Sequence, residues 1–264
     1  MDTLVCYAGP EDTGDGSARL TLDSPHNRNA LSSKLVAQLH AGLRDAAADP
    51  NVRVVVLGHT GNTFCAGADL SEATGGDPTD LAADRAREMA ALMRAIVECP
   101  RPVIAAVDGH VRAGGMGLVG ACDLAVAGPA STFALTEARI GVAPSIISLT
   151  LLPKLSPRAA ARYYLTGEKF GAAEAAAIGL ITLAVENTAD VQTSVADLVA
   201  NLRLGSPQGL AASKALTTAA VLAGFDRDAE PLSVASARMF VSDEAREGML
   251  AFLQKRPPSW ATQA

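Results

Sequence analysis

Three short apolar runs limit the fold of this chain more than any other feature: VRVVVLG at 52–58, PVIAAV at 102–107 and CDLAVAG at 122–128. Each is too short for a core helix. Each reads as a short, mostly apolar strand. Amphipathic stretches stand between them. In SSKLVAQLHAGLRDAAADP, Ser32 or Ser33 can cap, Leu35, Leu39 and Leu43 recur every four residues, and Pro50 ends the run. A second helix, DLAADRAREMAALMRAIVECP, follows a loop containing TGGDPT. This order of short strands and helices predicts an α/β fold with a mainly parallel sheet. From about Asp190 the pattern becomes helical, through DVQTSVADLVANLRL, SPQGLAASKALTTAAVL and a third stretch from about Asp228 to Lys255, with a turn at Gly205, Ser206 and Pro207. The expected division is a core at 1–198 and a helical C-terminal part at 199–264.

A chain of 264 residues, 49% apolar and 19% charged, can bury one large core without staples. Its net charge of −6 has no long block of one sign, which argues against nucleic acid or an anionic membrane as partner. Cys6, Cys65, Cys99 and Cys122 form no CxxC pair, and no basic-then-apolar leader opens the sequence. A reduced, cytoplasmic protein is expected. No apolar run reaches the ~18 residues of a membrane span. No metal site is expected.

Two glycine-containing turns carry the chemistry. FCAGADL, at 64–70, leaves the first apolar run through an Ala-Gly-Ala bend, and DGHVRAGGMGLVGACDL follows the second. Gly115, Gly117 and Gly120 spell GxGxxG, a dinucleotide fingerprint, yet seven residues separate Gly115 from the preceding strand, and Glu137 only loosely matches the acidic ribose partner. Ala113, Gly114 and Gly115 read better as a helix entry, whose first N–H groups have no partner within the helix. Paired with a donor from the Ala-Gly-Ala bend, this entry makes an oxyanion hole. The alternative is that both clusters are only tight turns and packing contacts.

In order and spacing, TFCAGADL, PVIAAVDGHVRAGGMGLVGACDLAVAG and STFALTEARIGVAPS resemble the enoyl-CoA hydratase/isomerase (crotonase) superfamily. The similarity extends from SPHNRNALS at 24–32 to AFLQKRPPSW at the C-terminus. It implies a spiral of ββα repeats, a C-terminal helical region that builds homotrimers or hexamers, and an acyl-CoA thioester substrate whose enolate is stabilised. No cofactor is implied beyond the coenzyme A of the substrate. By motif position the oxyanion donors are the backbone N–H groups of Ala68 and Gly114.

Hydratases resembling this chain carry two glutamates that hold and activate water. Glu137 matches the second, whereas Gly117 stands where the first belongs. A lone carboxylate in an apolar pocket still serves as acid and base, because burial raises its pKa toward the working pH. The alternative for Glu137 is a surface or capping role. A methylglutaconyl-CoA-hydratase-like subgroup shares this glycine-for-glutamate change, so the missing acid does not exclude hydration.

Further positions follow from the resemblance. His26 and Arg28 lie on the loop that touches the adenosine or pantetheine part of coenzyme A. Ala66, Asp69 and Leu70 flank the donor turn on the substrate side, with Asp69 also expected to cap it. His110 either lines the acyl pocket or is structural, and Lys255 either reaches the nucleotide or is an unliganded surface charge. Cys65 and Cys122, without an adjacent base, read as small buried apolar groups.

The expected activity is hydration of a short or branched 2-enoyl-CoA. Double-bond isomerisation, which needs one carboxylate and no water, and acyl-CoA binding without turnover are the alternatives.

Overall fold

The structure, a computed structural model, describes residues 2–69, 72 and 77–261. The chain opens with strand β1 (Val5–Ala8), a single helical turn α1 (Pro10–Thr13) and strand β2 (Ser17–Leu22), then α2 (Ser33–Ala48), capped by the Ser32 hydroxyl. A repeating unit follows. Strands β3 (Val54–His59) and β4 (Thr63–Cys65) precede α3 (Pro78–Glu98), and β5 (Val103–Val107) and β6 (His110–Arg112) precede α4 (Gly114–Ala121). Next come β7 (Leu124–Ala127) and β8 (Thr132–Ala134), a 3-10 turn at Glu137–Ile140, and the helices α5 (Ser148–Leu151) and α6 (Pro157–Thr166). The chain continues through β9 (Phe170–Gly171), α7 (Ala172–Ala177) and β10 (Leu183–Ala184) into α8 (Thr188–Arg203), α9 (Pro207–Phe240) and α10 (Asp243–Leu253).

In each repeat the first strand joins one sheet and the second joins another. The larger sheet has the order β1-β2-β3-β5-β7-β10, and the smaller β4-β6-β8-β9. β3, β5 and β7 are mutually parallel, as are β4, β6 and β8, while β1 and β9 add antiparallel edges. The result is a ββα spiral, and it places β4 and β6 side by side, so the turns leaving them emerge together.

The continuous apolar runs are explained by burial on both faces. Val54, Val56, Ile104, Ala106 and Val126 pack with Val191, Val195 and Val199 of α8, while Val55, Leu57, Val103, Ala105 and Val107 face the main core. Residues 198 and 199, where the sequence reading divides core from appendage, both lie within α8.

The C-terminal region differs from expectation in one respect. The sequence suggests two segments, one ending before about Asp228 and one starting there, yet α9 is one helix of 34 residues with Pro231 inside it. Proline removes one backbone donor and disfavours a helix interior. Packing along α3 outweighs that cost, with Arg94 bonded to Asp226 at 2.6 Å and Arg87 to Glu230 at 2.6 Å. Lys214, in a stretch that reads as helix surface, is buried. Its Nζ reaches Asp123 Oδ2 at 2.7 Å and the Ile96 and Arg101 carbonyls at 2.9 and 3.2 Å, tying α9 to the ends of α3 and α4. Among the described residues no helix is long and apolar enough to cross a membrane.

Candidate active site

The turn after β4 is set from below by the loop at 24–31. Asn29 is fully buried; its Oδ1 accepts from Ser24 N at 2.7 Å, and its Nδ2 donates to the Thr60 and Thr63 carbonyls at 3.1 and 2.7 Å. This residue type, silent in the sequence reading, fixes the loop against the start of β4. The loop then pairs with the bend: Ala66 N donates to Arg28 O at 3.1 Å, Leu31 N to Gly67 O at 2.8 Å and Asp69 N to Leu31 O at 3.2 Å. Leu31 and Ala68 thus form a parallel bridge in which Leu31 bonds to the residues on either side of Ala68. The N–H of Ala68 therefore points away from Leu31. Gly67, at φ +98°, holds a backbone that a β-carbon would strain.

The second turn arrives from β6. Ala113 sits at φ 45°, ψ −120°, an uncommon conformation for a residue with a side chain, and Gly114 directly after it is the first residue of α4. Its N–H is one of the helix's unpaired donors. The two turns touch, since a β-carbon on Gly67 would lie 2.7 Å from Ala113 Cβ and 3.4 Å from Gly114 N. A β-carbon on Gly115 would lie 2.7 Å from the Cys65 carbonyl oxygen. Glycine is required at both places because backbone meets backbone there.

The other fingerprint glycines are packing contacts as well. A β-carbon at Gly120 would stand 3.0 Å from Leu151 and 3.1 Å from Thr150, and one at Gly117 would stand 2.6 Å from both Ile147 Cγ2 and Met93 Sδ. Gly115, Gly117 and Gly120 are all buried inside α4, with no approach for a pyrophosphate, which removes the nicotinamide reading. The position where a second acid would stand is filled by Met93 and Ile147, and Thr150 Oγ1 seals it with a bond to Gly117 O at 3.0 Å.

Glu137 begins the 3-10 turn after β8 and is 8% exposed. Its Oε2 has no hydrogen-bond partner among the described residues. Burial raises its pKa from 4.5 to about 7, against a smaller lowering by a backbone hydrogen bond. The turn is held from two sides. Arg139 Nε donates to Thr166 O at 2.9 Å at the end of α6, and α10 packs backbone to backbone against residues 140–141. A β-carbon on Gly248 would lie 2.5 Å from Ile140 O, and one on Gly141 2.6 Å from Glu244 O.

His26 and Arg28 are exposed on the 24–28 loop, beside Ala66, and Asn27 Nδ2 donates to Asp69 Oδ2 at 3.1 Å, so four of the expected substrate-side residues share one edge. Leu70 lies outside the described residues, as do positions 73–76 of the following loop. His110 is exposed at the start of β6, with Nδ1 2.9 Å from Thr132 Oγ1. Lys255 is exposed just past α10. Burial pushes the Cys65 and Cys122 thiols up to about 12, which keeps both unreactive. Sequence reasoning misses Met93 and Ile147, which pack against Gly117 from distant parts of the chain without a motif, and Tyr164 near the end of α6.

A ββα spiral with two convergent backbone-donor turns and a buried carboxyl defines the class of protein. The family model for enoyl-CoA hydratase/isomerase matches residues 12–263, and the chain belongs to that family. It is similar to a crystal structure of an enoyl-CoA hydratase from Mycobacterium avium, at 72% identity over 98% of this chain and 100% of that one, with a TM-score of 0.92. Among curated relatives, the enoyl-CoA hydratase domain-containing protein 3, mitochondrial, of Rattus norvegicus is 31% identical over 94% of this chain and 82% of its own length. A peroxisomal Delta(3,5)-Delta(2,4)-dienoyl-CoA isomerase of Arabidopsis thaliana is 25% identical, over 95% of each.

Proposed function

We propose that this protein hydrates a short or branched 2-enoyl-CoA, with Glu137 as its one acid-base group. The observation that carries the reading is the Glu137 carboxyl: buried, with an unpartnered oxygen and a pKa of about 7, it can both take and return a proton near neutrality. The thioester oxygen accepts from the N–H groups of Ala68 and Gly114, each worth ~3 kcal/mol against developing oxyanion charge. Water adds through its oxygen to C3 while one of its protons passes to Glu137, and the C2=C3 electron pair moves into the enolate. Glu137 then protonates C2, and the carboxylate is restored.

Coenzyme A lies along the edge carrying His26, Arg28, Ala66 and Asp69, with Leu70, His110 and Lys255 as further contacts. The helical part at 199–264 builds a homotrimer or a hexamer, a role supported by the exposed apolar side chains Leu204, Leu216, Phe252 and Leu253. A cytoplasmic location accords with this reading. Names of relatives support hydration, and the packing of Met93 and Ile147 against Gly117 supports a second reading, in which Glu137 moves a proton between C2 and C4 and no water adds.

Incubation with linear, branched and carboxylated enoyl-CoAs, read by mass spectrometry, tests both. A gain of one water is expected, and Glu137→Gln is expected to lower turnover by about 10²- to 10⁴-fold with the fold retained. An unchanged mass with a moved double bond replaces hydration by isomerisation. Full turnover by Glu137→Gln overturns both.

A further inference from the structure

Four buried side-chain polar atoms have no partner among the described residues: Arg53 Nε, Arg101 Nε, Glu137 Oε2 and Tyr164 Oη. Each arginine bonds through another nitrogen, Arg53 to Gly205 O and Arg101 to Asp49 O. Tyr164 has no other polar side-chain atom, so its hydroxyl is left wholly without a partner. A buried hydroxyl in that state is disfavoured unless a ligand or water completes it.

The fold brings this hydroxyl to the site. Tyr164 lies in the last turn of α6, and the end of α6 is joined to the Glu137 turn by the Arg139–Thr166 bond and by Gly167, where a β-carbon would sit 3.0 Å from Leu135 O. The adjacent Tyr163 is committed elsewhere, with its hydroxyl on Glu174 at 2.6 Å and its ring 4.1 Å from that of Phe170. One residue along a helix turns the side chain by about 100°. Tyr164 thus lies on a different side of α6 from Tyr163. Burial, and next the Glu137 charge, push its phenol above the ordinary tyrosine range.

We infer that Tyr164 is a positioning residue, whose hydroxyl and Glu137 Oε2 hold the attacking water between them. This rests on the hydratase reading. The Tyr164 hydroxyl donates to the water oxygen, the water donates one proton to the carboxylate, and its free lone pair forms the bond to C3. Tyr164 itself gains and loses nothing. The water-orienting role that Gly117 cannot supply is thereby moved to α6.

Tyr164→Phe removes only an oxygen that bonds to no group among the described residues, so the melting temperature is expected to hold or rise. Expected for hydration is a loss of about a hundredfold in kcat with KM for the enoyl-CoA nearly unchanged. A second readout does not depend on the reaction: the infrared band of the Glu137 carboxyl in the free protein, assigned by its loss in Glu137→Gln and titrated with pH. Other charges on the packed elements are engaged or exposed: Arg139 holds Thr166 O, Arg162 pairs with Glu168, Asp243 with Arg246 and Glu247 with Arg256, and Glu244 faces solvent. The band's midpoint is expected to move upward in Tyr164→Phe, because the ionised carboxylate loses a donor relayed through water. An unchanged midpoint, or unchanged kcat, overturns the inference. Absence of hydration by the wild type, with the midpoint still moved, fails the hydratase reading while the Tyr164–Glu137 link stands.

Discussion

Gly117 and Glu137 occupy the two places where enzymes resembling this one would carry a pair of acids, and the fold treats them in opposite ways. Around Gly117, on α4, Met93 and Ile147 close to within the space of one β-carbon, and Thr150 bonds the carbonyl. Around Glu137, on a short turn held by α6 and α10, a carboxylate oxygen is buried with no hydrogen-bond partner among the described residues. One place is finished as core and the other as a site. The difference teaches that glycine at 117 is a matter of packing: Met93 and Ile147 fill the space beside it, so an acid cannot simply be placed there by substitution. On the proposed reading, charge stabilisation falls to backbone N–H groups, and proton transfer to one side chain.

On the backbone side of that division the largest expected effect is at Gly67. Gly67→Ala places a β-carbon 2.7 Å from Ala113 Cβ at a φ of +98°, and Ala113 is itself in an uncommon conformation. Relief requires the two turns to part, which moves the Ala68 N–H off its line. A loss of about 10²- to 10³-fold in kcat is expected, the cost of one oxyanion donor. Steady-state kinetics on the variant checks this, and kcat within threefold of wild type would show that the turns are only packing.

Next in size is a stability effect at Glu137. An unfolded chain titrates this carboxyl near 4.5 and the folded protein near 7, so between those values the folded state binds more protons. Stability therefore falls as pH rises through that window and levels off above it, by about 3 kcal/mol in all. Glu137→Gln lacks the titration. Urea unfolding of both proteins from pH 4 to 8 should give curves that diverge as pH rises, with the variant the more stable at pH 8; parallel curves would place the carboxyl in water. On the proposed reading the same ionisation governs turnover, so kcat/KM should rise with pH through about 7.

How far the sequence discloses this arrangement depends on where each signal is stored. β3, β5 and β7 are legible because burial on both faces makes nearly all of their residues apolar. β4 and β6 are three residues each, TFC and HVR, and owe their pairing to the spiral rather than to their own pattern. The donor turns are suggested by glycine placement, and Glu137 by the resemblance to the family. Lys214 is not, since a lysine in SKAL matches a solvent face until Asp123 and two helix-end carbonyls surround it. Nor is the place of Tyr164, because the end of α6 returns to the Glu137 turn across 26 intervening positions of chain.

The smallest effect is the sharpest test of the comparison itself. Gly117→Ala adds one methyl group where Ile147 Cγ2 and Met93 Sδ both stand 2.6 Å away. Overpacking of this kind costs about 1–3 kcal/mol, and the better helix propensity of alanine returns about 1 kcal/mol. Met93 ends in a flexible thioether, which favours the lower part of the range, so a net loss of about 1 kcal/mol is expected from chemical denaturation. Turnover should stay within a few-fold, because neither the N–H of Gly114, three residues earlier, nor the turn of Glu137 has to move. A variant with wild-type stability and a rate loss matching that of Glu137→Gln would mean that substrate or water, and not only Met93 and Ile147, lies against Gly117. In that event the two places would be alike, and the one-acid account of the site would have to be abandoned.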